Sequence, residues 1–181
     1  MTEPAMGPRL AAAQRAEFPY HEIRVLLLVA AFAEVEQDLT GLTKLVKLDF
    51  LLRYPTLAEK LLEQYESWPP AIAPSSDERV AVESRMIRYK YGPWDDKYYP
   101  IVGALVGRGL VEVVGRSPLS LRLTERGRSV SRDLEQRDEW RGQAERSRHL
   151  RRTLDLTGSE LKDLIYRLLP EVTDLPHRTE I

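Results

Sequence analysis

From Arg85 to Gly127 the chain reads as a strand, a tight turn, a helix, a two-stranded hairpin and the start of another helix. Two prolines constrain this stretch. Gly92-Pro93 predicts a turn, because proline fixes its own φ and pushes the preceding residue out of the helical region. Pro100 then limits where the next helix can begin. Only the first four N–H groups of a helix lack an internal acceptor, so proline is tolerated there and breaks the helix further in. The spacing predicts a helix over about 97–108, capped by Asp95 or Asp96, with Pro100 in or just past its first turn.

On that helix Ile101, Leu105 and Val106 are expected to face the core. Gly103 and Gly107 allow a close approach or a cap, and Gly109 ends the helix. Leu110–Val114 (LVEVV) follows as a strand with Glu112 outward. Gly115-Arg116-Ser117-Pro118 forms the tip, and Leu119–Leu123 returns with Leu119, Leu121 and Leu123 on one face. Thr124 caps the next helix. A helix followed by such a hairpin is the layout of a winged helix. The fold expected is mainly α with a small β-hairpin, a winged-helix domain with a helical N-terminal platform and C-terminal helices. The division expected is an arm over 1–20, a helical platform and linker over 21–77, the winged-helix unit over 78–135, and C-terminal helices and tail over 136–181.

Within the platform, 21–36 has apolar residues at helical spacing (Ile23, Leu26, Leu27, Ala30, Ala31), with Glu22, Arg24, Glu34 and Glu36 expected outside. A second helix runs over about 42–52, and Pro55 stops it. Thr56-x-x-Glu59 predicts a capping box for a third. Lys44 and Lys47 would be phosphate contacts of a helix-turn-helix or solvated lysines of a scaffold. The scaffold is favoured, because the second helix is too apolar to offer base edges a polar face. The proline-rich 67–77 reads as an extended linker that Trp68 could pin down. A helical turn and then a short strand are expected over 78–91. In the last third, six arginines lie between Arg137 and Arg152. They suggest an exposed helix or two, with Leu150, Leu154 and Leu156 docking at the end. Thr157-x-x-Glu160 is a second capping box, its helix ends at Pro170, and 171–181 reads as a polar tail.

Composition excludes several chemistries. The 181 residues carry a formal net charge of −1, so any affinity for nucleic acid must come from a local patch. There is no cysteine, hence no disulfide, thiolate nucleophile or thiolate metal site. His21, His149 and His177 have no metal-ligand spacing and read as structural or surface residues. The apolar run Val25–Phe32 is far below the ~20 residues of a membrane span, and no secretory signal opens the chain, so a cytoplasmic location is expected. GALVGRG lacks the lysine of a phosphate-binding loop. Asp95-Asp96 reads as a cap rather than a catalytic pair. No catalytic, cofactor-binding or metal-binding residue is assigned, and no enzyme is expected.

Two sets of candidate site residues remain. Arg85 to Arg128 holds nine Lys/Arg against four Asp/Glu, which makes Arg85, Arg88, Lys90, Lys97, Arg108, Arg116 and Arg122 candidates for a polyanion. Arg116 sits at the hairpin tip, where winged helices commonly touch a phosphate or a minor groove. A solvated rim paired with Asp95, Asp96 and Glu112 explains the same residues. Acidic caps at the helix start would oppose DNA entry by that route. Tyr91, Trp94, Tyr98 and Tyr99, with Tyr89, form an aromatic cluster that either packs the turn or supplies a docking surface for a partner.

Three segments together, TKLVKLDFLLRYP (Thr43–Pro55), RYKYGPWDDKYYPIVGALVGRGLVEV (Arg88–Val113) and TGSELKDLIYRLLPEV (Thr157–Val172), resemble the small middle components of bacterial ABC-three-component systems, defence operons related to the Lamassu type. The resemblance covers most of the chain from about residue 40. It implies a non-enzymatic winged-helix adaptor in antiviral defence. Its partners would be an ATPase resembling structural-maintenance-of-chromosomes proteins and an effector subunit, with a contact to DNA also open. The alternative is a winged-helix DNA-binding transcriptional regulator.

Overall fold

The computed structural model describes residues 18–80, 87–89, 92–94 and 97–173. The fold is mainly helical with a small three-stranded antiparallel sheet. At its centre lies α1 (Phe18–Ala33), whose Val25–Val29 and Phe32 are all but inaccessible to solvent. Polar residues at its start are buried as well. Glu22 and Arg24, expected outside, lie inside, because helices from both halves of the chain close over this end. A left-handed Glu36 (φ 58) terminates the helix, with Gln37 N–H donating to the Phe32 carbonyl at 3.2 Å.

The chain then makes β1 (Leu39–Thr40) and α2 (Leu42–Arg53). Tyr54 breaks the helix and α3 (Pro55–Leu62) starts at once. Pro55 therefore opens a helix as well as closing one, because a proline at the first helical position loses no hydrogen bond. The expected Thr56 box does not form. The cap is Tyr54, whose carbonyl accepts from Leu57 and Ala58. The segment beyond α3 is pinned by buried Trp68, whose indole N–H donates to the Pro55 carbonyl at 3.1 Å. It forms a 3-10 turn at Pro70–Ile72 and then α4 (Ser76–Val80), boxed by Ser75 and Glu78. Gly92 and Pro93 lie in a strand rather than a turn: β2 (Ile87–Tyr89) pairs antiparallel with β3 (Gly92–Trp94), Tyr89 opposite Gly92.

Then come α5 (Tyr98–Gly107), β4 (Val111–Val114), β5 (Ser120–Leu123) and α6 (Glu125–Glu135). Strand order is β1-β5-β4, with Leu39 opposite Leu121 and Val113 opposite Leu121 on its other side. Thr124 caps α6 as expected: its Oγ1 accepts from Gly127 N–H at 2.9 Å and donates to the Gly109 carbonyl at 2.7 Å. A Cβ on Gly127 would sit 2.1 Å from the Leu110 carbonyl oxygen, so glycine is what lets α6 rest on the start of the hairpin.

The arginine-rich segment is α7 (Asp138–Thr153). It is not a solvated helix. It packs on α1 and buries Trp140, Ala144, Ser147 and Leu150, while three of its arginines meet acids from elsewhere in the chain. Arg146 donates to Glu78 and to the Ile72 carbonyl, Arg148 to Glu34 and Glu135, and Arg152 to Glu66. His21 and His149 are both buried. Arg152 can only donate, so His149 Nδ1 accepts from it and Nε2–H donates to the Glu66 carbonyl at 2.8 Å. Last come α8 (Gly158–Leu168), with the full Thr157–Glu160 capping box, and α9 (Pro170–Thr173), with Val172 buried. His177 and residues 174–181 of the expected tail lie outside the described residues.

Candidate partner-docking face

The two faces of α5 differ sharply. Lys97 occupies its N-cap position, with no side-chain cap bond, and Pro100 is its third residue, inside the first turn as the proline argument requires. Asp95 and Asp96 lie outside the described residues. The cap position is Lys97 rather than Asp95 or Asp96, and the first turn holds no acid.

The inward face carries Tyr98, Ile101 and Leu105. Tyr98 was a candidate for docking, but it is buried, and its hydroxyl donates to Asp49 Oδ2 at 2.5 Å. The same carboxylate takes a two-pronged bond from Arg24 on α1, at 2.6 and 2.8 Å. One Asp of α2 therefore ties α1, α2 and α5 together. Burial alone would raise the Asp49 pKa. The Arg24 charge and bonds, the Arg53 charge and the Tyr98 bond outweigh it and hold the carboxyl below its usual value. Burial, and then the Asp49 charge, push the Tyr98 phenol well above its ordinary range.

The outward face carries Tyr99 (65% exposed) and Val106 (40%), with exposed Gly103 and Gly107 between and beside them. Val106 was expected in the core. The position of α1 against the helix selects Ile101 and Leu105 instead. No described atom lies within 4 Å of a Cβ built on either glycine, so no close approach among the described residues explains them. No residue of α5 is charged. Val113 on β4 is 47% exposed, so three of the five exposed large apolar residues among those described belong to the α5–β4 unit.

The other candidates are scattered. Arg122 is held by Asp38 in a two-pronged pair at 3.1 and 2.9 Å, with Glu112 3.9 Å away. Arg108 pairs with Glu22. Arg116 is exposed at the hairpin tip and meets no carboxylate among the described residues. Lys97 is exposed. Arg88 and Trp94 are carried by the β2–β3 hairpin, with side chains outside the described part of the structure. Arg85, Lys90 and Tyr91 lie outside the described residues. Lys44 and Lys47 are neither phosphate contacts nor solvated: Lys44 pairs with Asp155, and Lys47 is buried. Burial, and then the charge of Lys162, lower the Lys47 pKa to about 7.

Sequence reasoning missed the buried centre of Arg24, Asp49, Arg53 and Tyr98. One signal was available. On α2, apolar residues at 45, 46, 48, 50, 51 and 52 point in every direction, so no face is left to solvate Lys47, Asp49 and Arg53. Among the described residues no group of three or more acids or histidines is placed to hold a metal, and no helix is long and apolar enough to cross a membrane. No protein-family model, curated protein or solved structure matches the chain.

Proposed function

We propose that this chain is a non-enzymatic winged-helix adaptor that docks another protein on the outward face of α5. The winged-helix reading is supported by element order and strand order together. Helix α1, strand β1, helix α2, helix α5 and hairpin β4–β5, with strands in the order β1-β5-β4, follow the helix-strand-helix-helix-hairpin plan of that fold, with residues 54–97 inserted before its third helix. In DNA-reading members of helix-turn-helix folds that third helix enters the major groove and meets base edges with polar side chains. The observation that carries the adaptor reading is that α5 has no charged side chain and exposes Tyr99 and Val106 instead. Tyr99 and Val106 lie seven positions apart, about two turns, on the same helix, and tyrosine is among the residues enriched in protein-binding hot spots. The sequence resemblance supplies the partners: the ATPase resembling structural-maintenance-of-chromosomes proteins, the effector, or both, within a defence complex.

Co-expression with those two proteins, followed by size-exclusion chromatography, tests this. The wild-type chain is expected to co-elute with at least one of them. Tyr99→Ala with Val106→Asp is expected to weaken that binding at least tenfold while leaving the melting temperature within a few degrees. Separate elution of the wild type from both proteins at micromolar concentration would refute the adaptor reading.

DNA binding is the second reading, and Arg116 favours it. Its guanidinium stands at the tip of the hairpin, the position from which a wing reaches a phosphate or minor groove. In that case binding at low salt weakens steeply as salt rises, and Arg116→Glu reduces it for every sequence alike.

A further inference from the structure

We propose that the free edge of β4 is a second interaction surface, which takes an extended segment of another protein as a fourth strand, with a Lys or Arg of that segment opposite Glu112. This edge is separate from the α5 face, and the inference does not depend on the adaptor reading.

The hydrogen-bond phase of the sheet fixes which groups are open. Thr124 N–H donates to the Leu110 carbonyl at 3.1 Å, so position 110 with 124 is a bonded pair of the β4–β5 ladder. Bonded and non-bonded pairs alternate in an antiparallel ladder. Glu112 with Arg122 and Val114 with Ser120 are therefore bonded pairs, and Val111 and Val113 turn their N–H and C=O away from β5. The other side of β5 agrees. Gly41 N–H donates to the Leu119 carbonyl at 2.8 Å, which phases the main-chain groups of Leu121 toward β1 and leaves none for Val113. Among the described residues no strand pairs with the outer edge of β4.

Exposed edges are usually protected by shortness, charged side chains (lysine above all), proline or a bulge, and four-residue β4 has one such charge, Glu112. The β4 sequence, VEVV, has no lysine or proline, and its register with β5 runs without a bulge. Its exposed Val113 adds apolar surface beside the open backbone groups.

Charge selects the occupant. Glu112 is half exposed in the middle of the strand. Its neighbour on β5, Arg122, is already bound two-pronged by Asp38, and reaches Glu112 only at 3.9 Å. An antiparallel strand added on the other side would place its central residue directly opposite Glu112 in a close, non-bonded pair, where a cation is favoured and an acid disfavoured. A second copy of this chain fits poorly. The two-fold register that uses both open residues, Val111 against Val113 of the other copy, sets Glu112 against its own equivalent. The edge therefore fits a different protein, through a segment that alternates apolar residues with a central Lys or Arg.

The test is selection of a displayed library of linear heptapeptides on the full chain. Wild type is expected to enrich alternating apolar peptides with a central Lys or Arg. Synthetic versions are expected to bind Val113→Pro at least tenfold more weakly, because proline there removes an open N–H while sparing the β5 ladder. Glu112→Lys, an exposed change that decides the matter should the proline variant fail to fold, is expected to turn the selected central residue acidic. Enrichment without alternation, equal binding by Val113→Pro, or an unchanged central residue with Glu112→Lys would overturn the proposal. So would a wild-type dimer that Val113→Pro dissociates, which would assign the edge to a second copy.

Discussion

Helices α2 and α5 are similar in length and treat charge in opposite ways. The first carries Lys44, Lys47, Asp49 and Arg53, and all four are buried. The second carries no charge and leaves Tyr99 and Val106 in solvent. The usual rule of polar outside and apolar inside fails for both, for one reason. Burial is set by what surrounds a helix, not by what it is made of. Helix α2 is enclosed by α1, α3, α7, α8 and β3, whereas α5 packs chiefly on α1 and β4. An enclosed helix must pair its charges within the fold. A helix with one side open has no such need, and the apolar residues on that side are the ones the adaptor proposal assigns to a partner.

The largest effect expected on the enclosed side follows from removing Asp49. Asp49→Ala leaves Arg24 facing an apolar side chain and strips the acceptor from Tyr98. Breaking one partner of a buried ion pair costs about 3–5 kcal/mol, read as a drop in the urea midpoint at pH 7. A loss below about 1 kcal/mol would mean that α1, α2 and α5 are not held together by this centre.

Lys47 sharpens the same side through pH. Its folded pKa of about 7 lies below the unfolded 10.5. Between those values the unfolded chain binds more protons than the folded one, so stability rises with pH through that window, by at most about 1.4 kcal/mol per pH unit from this group. Below about pH 7 both states are protonated and the contribution to the slope disappears. Urea unfolding at pH 6, 8 and 9.5 is expected to show a smaller rise for Lys47→Met than for wild type. Equal slopes would remove Lys47 as the source.

Tyr98 and Val106 divide α5 into its two faces. Tyr98→Phe loses a hydrogen bond to a buried carboxylate, expected to cost about 1.5–3 kcal/mol. Val106→Thr on the exposed face is expected to stay within about 0.5 kcal/mol. Similar costs at the two sites would mean that Val106 is covered after all.

What was legible in the sequence was local. The Thr124 cap, the Thr157–Glu160 box, the β4–β5 hairpin and the limit set by Pro100 each depend on groups a few residues apart, and all four stand in the structure. The centre of the fold depends on distant partners. Arg24 meets Asp49 across 25 positions, Lys44 meets Asp155 across 111, and Arg146 meets Glu78 across 68. No spacing rule announces such pairs, so Arg24 and Glu22 read as surface and α7 as a solvated helix. On α5 the periodicity gave the helix, but Val106 was placed inside because the direction of α1 decides which flank of the stripe is covered. Tyr98 and Tyr99 are neighbours of the same chemical type, and only packing separates the one that holds the core from the one that faces out.

The smallest effect bears most directly on the open face. Gly103 sits inside a helix, with no positive φ and no described atom within 4 Å of a Cβ. Glycine in a helix interior costs about 0.5–1 kcal/mol relative to alanine. Gly103→Ala is therefore expected to stabilise the isolated chain by about that amount in chemical unfolding. If a partner packs on α5, the added methyl stands between it and the helix backbone, and the same substitution weakens co-elution with that partner. A chain made more stable and a complex made weaker by one methyl group would separate the two demands on this helix. A gain in stability with binding unchanged would show that the partner does not approach α5 at Gly103, and would leave Tyr99 and Val106 to carry the docking face alone.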